Sequence, residues 1–125
     1  FFYLKDKEYI QLKQEDQQKV SQEITDMSSQ LRSLCRKVWE LSEAAVSQGN
    51  YESAEKYLTT TLELGKLMNR DSELMYMSQM TSHAIIQKSL AEMEKLYQAT
   101  GEQEKLQQTQ QEIKEIKVEH DRMVD

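Results

Sequence analysis

Not one proline occurs in the 125 residues of this chain, and glycine occurs three times. Proline removes a backbone donor and clashes with the preceding turn, and glycine in a helix interior costs about 1 kcal/mol relative to alanine. With so few breakers, long helices can run uninterrupted. The expected fold is therefore all-α, and the length predicts one helical domain over residues 1–125.

The few breaks that do occur divide the chain into about four helices, at approximately 5–48, 51–68, 72–99 and 102–123, paired as antiparallel long-helix hairpins. Gly49-Asn50 supplies a residue tolerant of the left-handed backbone and then an N-cap side chain. Asn69-Arg70-Asp71-Ser72 offers Asp71 or Ser72 as the next cap. Thr100-Gly101-Glu102-Gln103 combines a glycine break with a Thr-x-x-Gln capping box, placing Gly101 in or just before the first turn of the last helix.

Within the first helix a heptad-like seam runs through Ile10, Lys13, Gln17, Val20, Ile24, Met27, Leu31, Leu34, Val38, Leu41 and Ala45. Its start is polar, so residues 1–19 are expected to project or to lie near a membrane. The stretch after Val20 is expected in the core. The second helix is expected to bury Tyr51, Ala54, Leu58, Thr61, Leu62 and Gly65. The third carries apolar residues on more than one face, which predicts neighbours on several sides. The fourth has a narrow stripe of Leu106, Thr109, Ile113, Ile116, His120 and Met123. That stripe is compatible with a bundle edge, with pairing to the polar half of the first helix, or with fraying.

The segment Ser47-Gln-Gly-Asn-Tyr-Glu-Ser-Ala-Glu-Lys-Tyr-Leu58 resembles the central turn of a tetratricopeptide repeat, with coverage from about Cys35 to Met68. Aligned on that turn, Leu41 falls at the first helix's leucine, Ala54 at the second helix's small position and Leu58 at its large apolar position. Trp39 stands one residue from the repeat's tryptophan site, and Thr61 replaces its second alanine. No second unit follows at one repeat length, so the resemblance implies a single helical hairpin with a bias toward protein binding. The overall layout also resembles membrane-anchored bacterial proteins of paired long helices, a likeness that implies no activity.

The formal net charge is −6, with basic residues scattered among acids, and no basic surface suited to nucleic acid is visible. Cys35 is the sole cysteine and reads as a small, semi-buried residue. Phe1-Phe2-Tyr3-Leu4 ahead of Lys5-Asp6-Lys7 resembles the aromatic edge where a membrane helix emerges into water, and it reads equally as a hydrophobic helix start. On the first reading the expected location is the cell envelope, facing the periplasm or outside, with an anchor upstream of Phe1.

Chemistry-bearing residues are sparse. His83 has Gln79, Met80, Ile86 and Gln87 around it and no acid within a turn, while His120 lies on the last helix's apolar stripe. Neither has the ligand spacing of a metal site. His120 is read as a polar interface residue that makes assembly pH-sensitive. Glu112, Glu115 and Glu119 alternate with Lys114 and Lys117 on an expected solvated face. Met75, Met77 and Met80 are candidates either for core packing or for a groove that takes a protein partner. No catalytic residue, metal ligand or cofactor-binding residue is assigned. The function expected is a non-enzymatic interaction or scaffolding module. The alternatives are a homodimeric coiled coil and, more remotely, a small-ligand or enzymatic helical domain built around His83 or His120.

Overall fold

The structure, a computed structural model, describes residue 8 and residues 13–70 and 76–124, with side chains in the last stretch described from 78 to 123. The described residues form four helices: α1 (Gln14–Ser47), α2 (Tyr51–Asn69), α3 (Tyr76–Thr100) and α4 (Gln103–Val124). The all-α expectation holds. The first helix does not run unbroken from residue 5, because Lys13 is extended (φ −65°, ψ 151°) and α1 starts after it. The expected caps Asp71 and Ser72 lie outside the described residues, as do residues 1–7 and 9–12 of the segment expected to project.

Both glycine turns close by local backbone bonds. At the end of α1, Gly49 (φ 77°) donates to the Val46 carbonyl at 3.0 Å and Asn50 to that of Ala45 at 2.8 Å. This double closure satisfies carbonyls that the helix end would otherwise leave open. Asn50 then accepts from the Ser53 amide at 3.4 Å as the cap of α2. Gly101 (φ 75°) ends α3 in a related way, with its own amide and that of Glu102 both reaching the Tyr97 carbonyl. The expected capping box does not form. Thr100 is the last residue of α3, and its hydroxyl stands 3.0 Å from the Glu102 carboxylate instead.

The result is two hairpins, α1–α2 and α3–α4, laid side by side, with α3 packed against all three other helices. Parallel pairs tie the hairpins together. Arg32 and Trp39 of α1 reach Thr81 and Ser89 of α3, 49 and 50 residues on. Glu55, Lys66 and Asn69 of α2 reach Lys105, Glu112 and Glu119 of α4, 46 to 50 residues on. Thus α4 docks on α3 and along α2, rather than on the polar half of α1. Its stripe is the docking face, with Thr109 and Ile116 buried and Leu106, Ile113, His120 and Met123 half-buried.

The seam on α1 needs correcting. Ile24 and Ala45 are buried as expected, but Leu34 and Leu41 are 57% and 52% exposed, and Cys35 and Ser42 take their places inside. A seven-residue repeat advances 3.5 residues per turn against 3.6 for a straight helix, so the written stripe drifts by about 20° per heptad. The neighbours follow the straight helix. Tyr51, expected inside, is 42% exposed at the open end of α2, whereas Ala54, Leu58, Thr61, Leu62 and Gly65 are buried.

At Gly65 α2 and α3 approach closely. A Cβ there would stand 2.7 Å from Ile86 Cγ1, 3.1 Å from Ile85 Cγ2 and 3.2 Å from the Ile86 backbone nitrogen. Ile86 is 4% exposed and β-branched, so its χ1 has little freedom to turn away. Gly65→Ala would gain about 1 kcal/mol of helix propensity but incur about 1–3 kcal/mol of overpacking. The clash wins because one of its partners is backbone. Thermal unfolding of the variant is expected at a midpoint several degrees lower, and an unchanged or higher midpoint would contradict the close approach.

Candidate functional site

The polar groups of this bundle converge where the end of α2, the first turns of α3 and the last turns of α4 meet. His83 sits on α3 with no exposed surface. Its Nε2 lies 3.1 Å from Asn69 Oδ1 of α2 and 3.5 Å from Glu119 Oε1 of α4, and its Nδ1 lies 3.2 Å from His120 Nδ1. The two rings meet edge-on, with centroids 5.4 Å apart. Asn69 in turn donates from Nδ2 to Glu119 Oε1 at 2.9 Å. Ser82 donates to the Gln79 carbonyl at 2.8 Å and stands 3.3 Å from Asn69 Oδ1.

These distances assign the protons. Asn69 gives its N–H to Glu119, so its oxygen faces His83 and accepts from Nε2–H. Neutral His83 then has a lone pair on Nδ1, which accepts from His120 Nδ1–H. One directed chain therefore runs from His120 through His83 and Asn69 to the Glu119 carboxylate, joining three helices. Sequence neighbours supply His83 with no acid; the acid arrives from α4. The lone pair of His83 that a metal would use is occupied by the His120 N–H. Among the described residues no group of three His, Cys, Asp or Glu side chains is placed to hold a metal ion.

Burial pushes the His83 imidazolium pKa below its ordinary value, with Glu119 working in the opposite direction and His120 reinforcing the drop. A proton on His83 Nδ1 would also face the N–H of His120. The arrangement is thus a lock, built on a neutral His83, that holds α4 onto α2 and α3. A second tie lies at the other end of α4: Glu55 accepts from Tyr97 Oη at 2.8 Å and from Lys105 Nζ at 2.9 Å. The Lys105 bond, with that of Tyr97, holds the Glu55 carboxyl below the usual range.

Of the methionine candidates, one side chain is described. Met80 is half-buried on α3 beside α1, Met75 is outside the described residues, and the Met77 side chain is likewise outside them. His120 faces His83. The exposed large apolar side chains lie elsewhere. Leu34 and Leu41 stand two turns apart on α1, and α2 adds Tyr57 and Leu67, 36% and 58% exposed. Leu41 and Tyr57 stand at matching distances from the Gly49 turn.

The lowered pKa fixes a sign. Between the ordinary histidine value of about 6.5 and the lower folded value, the unfolded chain binds more protons at His83 than the folded chain does. Stability is then complete above about pH 6.5 and falls as pH drops through that window. Chemical denaturation at stepped pH is expected to show this loss in the parent chain and a flatter profile in His83→Gln, whatever that variant's absolute stability. An equal slope in both chains would refute the assignment.

Comparison with models of known families, with curated proteins and with solved structures found no match to this chain.

Proposed function

We propose that the chain is a non-enzymatic protein–protein interaction or scaffolding module that binds through the outer face of its first hairpin. The observation that carries this is the pair Leu34 and Leu41, more than half exposed on α1, with Tyr57 and Leu67 also exposed on its packed neighbour α2. Single exposed leucines are ordinary, but a hairpin that exposes Leu34, Leu41, Tyr57 and Leu67 offers apolar area whose covering is favourable. Full burial of such a side chain contributes about 1.5–3 kcal/mol. The occupant that fits is an amphipathic helix with anchors one and two turns apart. The tetratricopeptide-like turn sequence from Ser47 to Leu58 supports the same reading, since that motif carries a bias toward protein binding.

A specific observation favours a second reading, a coiled-coil homodimer. Leu34 and Leu41 are one heptad apart, the repeat by which two copies of α1 pair. Light scattering over a concentration series separates the two: a dimer lost in the Leu34→Glu/Leu41→Glu double variant supports self-pairing. A monomer at every concentration supports a different protein as partner, which a photo-cross-linker at position 34 or 41 is expected to trap in cells. Both sites are exposed, so the double variant is expected to keep its stability to within about 1 kcal/mol. A chain that stays monomeric and gives no adduct at either position would sink both readings.

A further inference from the structure

On the flank of α1 opposite Leu34 and Leu41, an open groove of about 450 Å³ runs between α1 and α3. Its volume falls in the range of small-ligand sites. Arg32 and Arg36 line it one turn apart, with Ser29 and Ser33 beside them and Met80 and Thr81 on the α3 wall. Among the described residues no acidic side chain lines the groove, although the chain as a whole carries a net charge of −6. With two guanidinium groups, the described lining is a local reversal of the molecule's charge.

Two further details mark it as more than a gap between helices. Arg32 is turned toward α3, where its Nη2 donates to Thr81 Oγ1 at 3.5 Å, so one guanidinium reaches across the groove. Ser28, which also lines it, is 93% buried, and its hydroxyl has no hydrogen-bond partner among the described residues. A buried hydroxyl without a partner is uncommon and costly.

We infer that this groove binds a phosphomonoester dianion. Two guanidinium groups present N–H donors in planar forks, and the serine hydroxyls add more. Such an excess of donors suits a group with three acceptor oxygens and close to two negative charges better than it suits a carboxylate. Met80 and the arginine stems give the ester's organic portion an apolar wall to lie against. The group can arrive on a small molecule or on a phosphorylated serine side chain; the chemistry recognised is the same.

The test is titration of the ¹⁵N-labelled chain with phenyl phosphate and, separately, with a short phosphoserine peptide, followed by amide and Arg Nε–H shifts. Saturable shifts centred on residues 28–36 and 80–81 are expected with at least one of them. Affinity is expected to fall at least about tenfold, the equivalent of 1.4 kcal/mol, in Arg32→Gln/Arg36→Gln. Lys114→Gln/Lys117→Gln, with the same change in net charge on α4, is expected to bind like the parent chain. Binding of phenyl phosphate assigns a small-molecule ligand, and binding of the peptide alone assigns a phosphorylated chain. Shifts centred elsewhere, no saturation with either probe, or equal weakening in the two variants would overturn the site. Both arginines are exposed, and an unchanged thermal midpoint for their variant keeps loss of binding distinct from loss of fold.

Discussion

The approach of α2 to α3 at Gly65 sets the geometry on which the other helices depend. A hydrogen atom where any other residue has a Cβ lets Ile85 and Ile86 sit against the α2 backbone. With the two axes this close, Thr61 comes within 2.8 Å of Ser89, and both receive the indole N–H of Trp39 from α1, at 3.2 and 3.4 Å. One turn beyond Gly65, the same closeness sets Asn69 against His83. The polar contacts at either side of the glycine are hydrogen bonds of ordinary length only because the backbone spacing is short.

Helix α3 shows how a bundle with a polar interior remains satisfied. Its buried residues include Ser78, Thr81, Ser82, His83, Ser89 and Glu92. Burial acts to raise the Glu92 carboxyl, yet bonds from Lys88 at 2.8 Å and Lys95 at 3.4 Å more than offset it, leaving the carboxyl below its usual range. Ser78 and Ser28 alone have buried side-chain oxygens without a partner among the described residues. Such partnered groups specify one register of α3 against its neighbours, since a shift by one residue would leave several of them unpaired.

What the sequence disclosed was what neighbouring residues determine. Glycine at 49 and 101 and asparagine at 50 act through their own backbone and the next turn, so the breaks could be placed before the fold was known. The stripe of α4 and the many-sided apolar character of α3 follow from periodicity, and each face found its neighbour. Gly65 gave no such signal: inside a helix it looks merely unfavourable until the partner at Ile85–Ile86 is present. The His83 chain was equally hidden, because His120 and Asn69 are 37 and 14 residues away in sequence, and only tertiary packing joins them. The heptad reading of α1 failed at Leu34 and Leu41 because a 3.5-residue repeat and a 3.6-residue helix diverge over several turns.

The notch at Gly65 also has a history during synthesis. The first hairpin is complete in sequence once α2 has been made, and its turn closes through bonds between near neighbours. Ile86, which fills the notch, follows 21 residues after Gly65. At about 5–20 residues per second the ribosome delivers it roughly one to four seconds later. Until then neither the apolar contacts of Gly65 with Ile85 and Ile86 nor the bond between Asn69 and His83 can form, so the arrival of α3 completes both at once.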